Sequence, residues 1–590
     1  MALVNELNEL LSVVLRHLLT PLGFLVGSIL LLISTLVSWS SVNNVPDGLE
    51  WAVPKDRMFY VLRGRWQTLF YGRSMMLEAY ERFSKKDEPY VWINAASGPE
   101  IVQPPSQIAT TIAQPDNVLS TSIAQERSLQ IKYTGLYKQV FATPLHIGTT
   151  RQALTGHLSQ LNGDIIEELL DSLENQWGSD TSTWRSVDIM ATIQEIVART
   201  SNRIFVGVPL CRNRGYLDAC IGFAVAVSMG SIWITTLPSF MKPVLGRVMT
   251  IPGWIYFYRA AWHLKPLVCA RIAEIIRANT EPGYKYQKPC DFLQWTIDTA
   301  LDSGDPSELD PYIIAARVVT MNFAAIHTSL LSTTHMLLDI IAAPTAPAAD
   351  GTPSMIDQLR AESAAAYTRE GNQWSRKALS HMHKLDSCLR ESLRLNGFVT
   401  RGLARVVVAE EGYRLNNGVV APKGALLTVP AFGIGHDPDK WGAHPWAYDG
   451  FRFSRVIEAG ERERARREEE AAKRAGPDGQ MSEEEKGEVQ RAWLEDTRRQ
   501  GVVTTSDSFL QFGHGKHACP GRFFAANEIK FLMTFILREY DIEPLAKRPE
   551  NGWFMDLLLV PMGVKIKIRK RKEPATSVEG PVPVAVEKKA

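Results

Sequence analysis

Apolar residues recur at helical spacing along most of the chain, and this pattern is continuous from about residue 109 to residue 394. The clearest helix has marked ends: Asp310 and Pro311 supply an N-cap and a first-turn proline, and apolar residues run to Ile341, shortly before an Ala-Pro pair. A helix over 311–341 would be about 46 Å long at 1.5 Å per residue. Because an acidic residue interrupts it and basic flanks are missing, we predict a core helix that crosses a domain, not a membrane span.

Between about residues 400 and 430 the pattern changes to short alternating runs, at 404–408 and 425–429. Turn signals separate these runs, with Asn-Asn-Gly at 416–418 and Pro-Lys-Gly at 422–424. Alternation between turns of this kind predicts a small antiparallel sheet. The predicted fold class is therefore mainly α with a small antiparallel β portion.

The amino-terminal stretch 18–39 is almost entirely apolar, and its 22 residues carry no formal charge. This length is enough for a helix that crosses ~30 Å of hydrocarbon. A cleaved signal peptide would have a shorter apolar region and small residues at a cleavage site, so we predict an uncleaved transmembrane anchor. By the positive-inside rule, 1–17 is a luminal tail and the body of the protein is cytosolic. The basic residues that decide this orientation are Lys55, Arg57, Arg63 and Arg65 after the stretch, against Arg16 before it.

Two further segments differ in composition from the rest. In 458–499, 23 of 42 residues are charged, 13 acidic and 10 basic, which predicts a solvated helical insert with i,i+4 ion pairs. The segment 574–590 contains three prolines and is predicted to be a disordered tail. We assign the remainder, 40–573 with its insert, to one domain.

The overall composition excludes several classes of protein. With 45% hydrophobic and 22% charged residues, the chain can bury a large core, so it is neither wholly disordered nor of low complexity. Lys+Arg 65 against Asp+Glu 64 leaves a net charge of +1, and we expect no nucleic-acid partner. The six cysteines show no close pairing, which disfavours a disulfide scaffold or a zinc module and fits a reducing compartment.

The strongest chemical signal is the stretch 512–525, Phe-Gly-His-Gly-Lys-His-Ala-Cys-Pro-Gly-Arg-Phe-Phe-Ala. It places Cys519 on a glycine-rich loop just before an apolar helical run. A thiolate at a helix N-terminus is favoured by the macrodipole and by free N–H groups, and it can bind a soft or borderline metal. Gly515 and Gly521 allow the backbone to approach a flat cofactor closely. Four basic side chains supply charge for anionic groups: His514, Lys516, His517 and Arg522.

This stretch resembles the haem-binding loop of the cytochrome P-450 superfamily, Phe-x-x-Gly-x-x-x-Cys-x-Gly. All four fixed positions match, at Phe512, Gly515, Cys519 and Gly521. The resemblance implies the cytochrome P-450 fold, as a single catalytic domain behind an N-terminal transmembrane helix. It also implies haem b as the cofactor, with Cys519 as the iron ligand.

Two more stretches follow in the order expected for the family. Glu391-Ser-Leu-Arg394 resembles its Glu-x-x-Arg, and at spacing i,i+3 these side chains share a helix face. The stretch 450–453, Gly-Phe-Arg-Phe, stands in the place of its Pro-x-Arg-Phe. The resemblance implies a structural network of Glu391, Arg394 and Arg452 below the haem.

The predicted long helix carries a variant of the family's oxygen-site pattern. Where the family often has a small residue, an acid and an alcohol, this chain has Ala324-Ala325-Ile-His327-Thr328. The resemblance assigns Thr328 to the alcohol that delivers protons during oxygen activation, whereas His327 replaces the acid. An imidazole with an ordinary pKa near ~6.5 can relay protons at neutral pH. His327 could equally be a spacer while water supplies the protons, and both interpretations stay open.

The haem propionates need cationic partners. His517 occupies the family's usual basic position, two residues before the cysteine, and Arg405 is the next candidate, with Arg401 as its competitor. The family's Trp-x-x-x-Arg is missing where it is expected. The nearest substitute is His146-Ile-Gly-Thr-Thr-Arg151, which makes Arg151 a further candidate.

The chain has no evident GxGxxG fingerprint for a flavin or nicotinamide, so electrons must come from another protein. The implied partner is NADPH–cytochrome P-450 reductase, docking near Lys516 and Arg522, with cytochrome b5 as a second candidate. The resemblance and the predicted anchor imply a single-pass protein of the endoplasmic reticulum membrane with a cytosolic catalytic domain.

Four segments are expected to line the substrate pocket: 119–134, 220–250, 318–328 and 397–404. Their aliphatic, aromatic and hydroxyl side chains favour a lipophilic substrate. The sequence is also similar to fungal family members of secondary metabolism, including those that resemble ent-kaurene oxidase. We therefore expect hydroxylation or successive oxidation of a terpenoid, with a polyketide-derived scaffold as the alternative. A haem-thiolate sensor or electron carrier is a further alternative, although it would not need Thr328.

Overall fold

The computed structural model describes residues 21–55, 58–344, 351–398, 400–474 and 483–572. The predicted luminal tail 1–17 and the predicted disordered tail 574–590 lie outside these residues, as do the first three residues of the predicted anchor. The domain boundaries drawn from the sequence stay predictions.

Helices make up most of the described chain, so the mainly α prediction is confirmed. Those of eleven residues or more are α1 (Pro21–Ser40), α2 (Tyr60–Arg82), α3 (Leu158–Trp177), α4 (Ile189–Phe205), α5 (Arg214–Thr236), α6 (Ile251–Thr280), α7 (Phe292–Asp302), α8 (Pro311–Ile341), α9 (Met355–Arg369), α10 (His383–Asn396), α11 (Arg452–Arg474), α12 (Glu483–Gln500) and α13 (Arg522–Glu539). Short helices lie at Ile108–Ala113, Thr121–Leu129, Ile131–Thr134, Lys138–Ala142, Leu145–Thr149, Arg247–Met249, Arg376–Ser380, Ala431–Gly435 and Pro438–Trp441. Wider turns follow at Thr150–Leu154 and Lys242–Gly246, and 3₁₀ turns lie at Ser84–Lys86, Pro105–Gln107, Leu210–Arg212, Pro306–Leu309 and Gly515–His517.

The central element is α8, and its bounds agree with the predicted 311–341. The Asp310 side chain caps it by accepting a hydrogen bond from the Tyr312 N–H at 2.7 Å. Apolar residues on several sides are fully buried, among them Ile314, Val318 and Ile326. The helix packs against α4, α5, α6, α10 and α13. A helix that is apolar nearly all round is stable only when it is enclosed in this way.

The strands are β1 (Glu50–Trp51), β2 (Tyr90–Asn94), β3 (Gly98–Val102), β4 (Leu119–Ser120), β5 (Arg185–Asp188), β6 (Gly402–Val407), β7 (Tyr413–Arg414), β8 (Val420–Ala421), β9 (Leu426–Val429), β10 (Tyr540–Ile542), β11 (Gly552–Phe554), β12 (Leu557–Leu559) and β13 (Lys565–Lys570). They form a six-stranded sheet in the order β1-β2-β3-β9-β6-β4 and a three-stranded sheet in the order β10-β13-β5. Two further pairs are β11-β12 and β7-β8.

The predicted antiparallel pairing of the 400–430 region is present, since β6 pairs antiparallel with β9, with Arg405 opposite Leu427. The sheet that contains this antiparallel pair is nevertheless mixed, which the sequence did not predict. β9 also pairs in parallel with β3, and β1 pairs in parallel with β2. The amino-terminal strands reach β9 because its second edge would otherwise leave buried N–H and C=O groups without partners.

In the described chain, α5 and α8 are long and apolar enough to cross a membrane, but 50% and 61% of their most apolar stretches are buried in the protein. The prediction that α8 is a core helix fits this burial. Helix α1 covers most of the predicted anchor, and Leu32 and Val37 on it are more than half exposed. Its crossing of a membrane stays a prediction.

The charged segment 458–499 contains parts of two helices rather than one. The side chain of Arg464 on α11 donates to Gln490 on α12 at 2.9 Å, and its guanidinium lies 4.9 Å from the centre of the Trp493 ring. Gly460, one turn earlier on α11, faces Trp493, whereas Arg464 reaches back to Gln490, so the two helices are antiparallel. The predicted i,i+4 ion pairs occur at Arg466–Glu470, Glu463–Arg467 and Glu495–Arg499.

A buried ionic network connects α10 to the start of α11. The carboxylate of Glu391, which has no solvent exposure, accepts from Arg394 Nε at 2.8 Å and Nη2 at 2.7 Å, and from Arg452 Nε at 3.0 Å. Arg394 also donates to the carbonyls of Gly435 and Pro445. The three side chains named from the sequence therefore meet, and they hold the chain between α10 and α11 in place.

Replacing Arg394 with alanine removes one of the two cationic partners of the buried Glu391 carboxylate and leaves only Arg452. We expect a loss of about 3–5 kcal/mol in the free energy of unfolding, as for other broken buried pairs. Arg466→Ala, which removes two exposed ion pairs on α11, with Glu463 and Glu470, should cost no more than ~1 kcal/mol. Urea unfolding of the two variants, followed by circular dichroism, measures both losses. Similar losses in the two variants would show that the network does not hold the fold.

Candidate active site

Cys519 lies on a loop between the turn Gly515–His517 and α13. Its own N–H donates to the Phe512 carbonyl at 2.7 Å, which folds the loop back on itself. Gly515 has φ +71°, a conformation that side chains other than glycine rarely adopt, and a Cβ there would lie 3.1 Å from Ile112 Cβ. The loop therefore needs glycine for both its turn and its close packing.

The surroundings of the Cys519 sulfur shift the pKa of its thiol in opposite directions. Burial raises the pKa of the thiol, whereas the N–H groups of Gly521 and Arg522, which bond the sulfur, and the Arg522 guanidinium lower it. The helix terminus thus acts as the sequence predicted, but burial outweighs it. A metal cation at the sulfur supplies the charge that deprotonates such a thiol.

A cavity of about 880 Å³ extends from Cys519 to the middle of α8. Its size is at the upper end of the ~300–1,000 Å³ typical of ligand sites. The residues that line it next to the cysteine loop are Gln511, Phe512, Gly513, His517, Pro520 and Gly521, and those from α8 are Thr320, Met321, Phe323, Ala324, Ala325, Thr328, Ser329 and Ser332. Of the six cysteines, only Cys519 is among its lining residues.

The predicted lining segments are correct in part. Segments 119–134 and 318–328 contribute, but 397–404 supplies only Phe398, and 220–250 supplies no lining residue in the described chain. Helix α5 turns its buried face, with Phe223 and Val227, to the core around α6 and α8. The part of the cavity wall that was not predicted from the sequence comes from the short helices and turns over 135–154.

Thr328 lines the cavity, and its hydroxyl donates to the Ala324 carbonyl at 2.8 Å. His327 is not among the lining residues that the structure describes. Its Nδ1 has no hydrogen-bond partner among the described residues, and burial lowers the pKa of the ring. A neutral imidazole one residue away from the cavity wall fits either of the two roles considered for it.

Glu528 is a candidate that the sequence did not single out. It lies on α13 without solvent exposure, and its Oε1 accepts from Ser201 Oγ at 2.8 Å. Burial raises its pKa to about 7, while the hydroxyls of Ser201 and Ser329 act in the opposite direction. Because Ser329 lines the cavity, a group that exchanges a proton near neutral pH lies directly behind the cavity wall.

The four cationic side chains proposed as partners of the haem propionates differ in whether they reach the cavity. His517 lines the cavity, and its Nε2 lies 3.0 Å from Asp116 Oδ1. Arg405 is buried and donates to the Ala404 carbonyl at 3.0 Å, away from the cavity lining. Arg401 is held by Glu100 and Asp556 in a buried ion triplet. The competitor Arg401 is therefore already neutralised.

The predicted motif His146…Arg151 brings its histidine, not its arginine, to the cavity. Arg151 is exposed and donates to the Lys516 carbonyl at 3.4 Å. Five residues turn a helix by about 140° beyond a full circle, so the two side chains leave on different faces. His146 Nδ1 lies 3.5 Å from Arg317 Nη1, and burial and that cation lower its pKa to about 4. Since Arg317 can only donate, Nε2 of His146 carries the ring proton.

The family model for cytochrome P450 matches residues 61–466 and 491–568. Cytochrome P450 monooxygenase gloP of Glarea lozoyensis is 29% identical, over 88% of this chain and 91% of that protein. Cytochrome P450 monooxygenase 110 of Postia placenta is 31% identical, over 85% of this chain and 89% of that protein. Cytochrome P450 monooxygenase htyF of Aspergillus rugulosus is 30% identical, over 84% of this chain and 68% of that protein. The chain belongs to the cytochrome P450 family.

The protein is accordingly an oxidoreductase of the monooxygenase class that binds haem b through a cysteine thiolate. The residues present fit this cofactor, because the one cysteine on the cavity wall stands beside glycines that admit a flat ring, and histidine and lysine side chains also line the space. A sensor or electron carrier without oxygenase activity is disfavoured by the monooxygenase relatives. Residues 467–490, inside the charged segment, fall between the two stretches that the family model matches.

Cys519→Ser should abolish the strongly red-shifted Soret band of the reduced, CO-bound protein, because an alcohol does not replace a thiolate as the iron ligand. Cys290→Ser, at an exposed cysteine away from the cavity, should keep that band. The absorption spectrum of dithionite-reduced protein under CO measures both. An unchanged band in Cys519→Ser would assign the iron ligand to another residue.

Proposed function

We propose that this protein is a microsomal monooxygenase that hydroxylates or successively oxidises a lipophilic secondary metabolite, with a terpenoid as the substrate class. The observation that carries the proposal is the cavity wall, which is mostly aliphatic and aromatic and includes Phe141, Phe323, Phe398 and Leu393. A polyketide-derived scaffold is the second candidate. Hydroxyl side chains of Ser122, Thr150, Thr320 and Ser332 on the same wall favour a substrate that carries oxygen atoms.

Bound haem supplies the oxygen activation, and the chain's own residues supply position, protons and exclusion of water. Cys519 would hold the iron, and Gly513 and Gly521, which line the cavity, leave room for the ring, whereas Gly515, predicted for this role, packs against Ile112 instead. His517 would bind a propionate; Arg405 and Arg151 stay predicted propionate partners, although neither is among the lining residues. The aromatic wall keeps bulk water from the reacting carbon, which protects against unproductive side reactions.

Protons are expected to reach the oxygen site through the Thr328 hydroxyl. This hydroxyl donates to a helix carbonyl, so it can also accept a hydrogen bond from a water on its cavity side. Two protonatable groups are placed next to it along the chain or behind its neighbour: His327 precedes it on α8, and Glu528 lies behind Ser329. The roles of Thr328 and His327 are part of the proposal.

A location in the endoplasmic reticulum membrane is supported by exposed apolar surface. The Trp39 indole at the end of α1 donates to the Thr236 carbonyl at 2.7 Å, which attaches the predicted anchor to the end of α5. Nearby helices expose large aromatic side chains, with Trp233 59% and Trp262 77% exposed. Apolar patches of this kind are typical of membrane contact, and tryptophan favours the interface.

Electrons are proposed to come from NADPH–cytochrome P450 reductase, with cytochrome b5 as an additional donor. The loop that carries Cys519 comes to the protein surface at Lys516, whose side chain is about half exposed. The exposed Arg151 lies beside it and donates a hydrogen bond to the Lys516 carbonyl. Positive groups on this face favour a partner with an acidic docking surface. Asp116 neutralises part of this charge, since it pairs with both Lys516 and His517.

Microsomes that contain the full chain and the reductase test the function. Incubation with NADPH and dioxygen should convert a cyclic diterpene to products that have gained one oxygen atom each, and an aromatic polyketide should react more slowly. Mass spectrometry of the products and titration of the Soret band by each compound are the measurements. Faster turnover of the polyketide would favour the second candidate, and NADPH-independent reduction would contradict the proposed partner.

Thr328→Ala should uncouple electron consumption from product, because the proton donor is removed while the cavity remains. General acid groups contribute ~100- to 10,000-fold, so product per NADPH should fall at least about tenfold. Thr235→Ala is the matched control, since this threonine makes the same bond to the carbonyl four residues earlier but lies outside the cavity. His327→Ala separates the two roles of the imidazole: unaltered turnover and coupling would exclude a relay.

A further inference from the structure

A second apolar cavity of about 680 Å³ opens on the outer side of α5 and α6. Its lining includes Val225, Ala226, Met229 and Trp233 from α5, together with Met249 and Tyr256. No charged residue is among the described residues that line it. Val225, Met229 and Trp233 are about half exposed, so the feature is an open groove rather than an internal void.

Glycines shape this groove. Helices α5 and α6 are antiparallel, because Gly222 faces Tyr256 whereas Ala226, four residues later on α5, faces Gly253, three residues earlier on α6. A Cβ on Gly222 would lie 2.4 Å from the Tyr256 ring, so the ring packs directly on the α5 backbone. The floor of the groove is therefore low, whereas Met229 and Trp233 form its rim.

The groove is separate from the catalytic cavity. The two share no lining residue in the described chain. Helix α5 was expected from the sequence to line the substrate pocket, yet its groove faces away from that pocket.

The position of the groove indicates a bilayer component as its occupant. Trp233 on its rim is three residues before Thr236, the residue that accepts the hydrogen bond from Trp39 at the end of α1. Helix α1 carries no formal charge, and its described side chains Leu32 and Val37 are exposed. The span of α5 from 222 to 233 is about 16 Å at 1.5 Å per residue. An acyl chain laid along the groove would have a similar length, since one leaflet of a ~30 Å hydrocarbon core is about 15 Å deep.

We propose that this groove binds one acyl chain of a membrane phospholipid, next to the point where α1 joins the catalytic domain. The proposal rests on the membrane location put forward above. It assigns the apolar face of α5 to lipid binding and leaves substrate binding to the catalytic cavity. Ordered lipid in the groove would fix the contact between α5 and the bilayer.

Full-length holoenzyme in vesicles of phosphatidylcholine with a diazirine in the acyl chain tests the proposal. After irradiation, cross-links mapped by mass spectrometry should concentrate on 222–233 and 249–256 rather than around the more exposed Trp262. Ala226→Trp, which fills the groove, should reduce these cross-links at least about tenfold, a loss of ~1.4 kcal/mol in binding. Ala270→Trp, the same change at an exposed alanine of α6 outside the groove, should leave them unchanged.

Three results would overturn the proposal. Uniform labelling of all exposed apolar residues would indicate simple immersion in the bilayer. Displacement of the lipid by a substrate that the enzyme turns over would assign the groove to substrate. Failure of the enzyme to sediment with vesicles would overturn the membrane location and the groove together, whereas sedimentation with uniform labelling would overturn the groove alone. An unchanged spectrum of the reduced, CO-bound variants controls for folding.

Discussion

The carboxylate of Glu391 is the constraint on which the cysteine loop depends. It has no solvent exposure, and desolvating such a charge costs several kcal/mol unless it is paired, so Arg394 and Arg452 must both stay in place. The same helix, α10, also binds the chain where it returns from α12: Arg390 donates to the Gly501 carbonyl at 2.8 Å, and Asp386 accepts from the Val502 N–H at 2.7 Å. Helix α10 therefore holds both the start of α11 and the chain after α12. The loop that leads from α12 to Cys519 starts from a fixed position, even if the helical hairpin α11–α12 moves.

The segment between α12 and Cys519 is also fixed by hydrogen bonds. Arg522 donates to the Val503 carbonyl at 3.1 Å and to the Cys519 carbonyl at 2.8 Å, which connects the base of the hairpin to the loop. Helix α8, enclosed on most of its sides, supplies the facing wall of the cavity. The sulfur and the Thr328 hydroxyl are thus carried by two rigid elements on facing walls of the cavity, which is the arrangement that precise placement of a bound cofactor requires.

The parts of this arrangement that could be predicted from the sequence carry their own local signals. The helix 311–341 has an N-cap and a stop, and the cysteine loop has a fixed spacing of glycines and an aromatic residue. The direction in which α5 faces could not be predicted, because a helix that is apolar on most sides has no period that marks its buried face. The parallel pairing of β3 with β9 joins residues more than three hundred positions apart and leaves no local pattern. Glu528 was not predicted, because nothing in the sequence of α13 shows that this acidic residue is buried behind Ser329.

The orientation of α5 has a consequence for specificity. Its inner face packs on α6 and α8, and its outer face forms the apolar groove, so no described residue of α5 reaches the catalytic cavity. The wall of the catalytic cavity comes instead largely from the segment 122–154 and from α8. Substitutions on the outer face of α5 change the apolar surface and leave the shape of the catalytic cavity as it is. Substitutions of the lining residues in 122–154 change the shape of the cavity and leave the groove as it is. The apolar outer surface and the shape of the catalytic cavity are therefore formed by different elements and can vary independently.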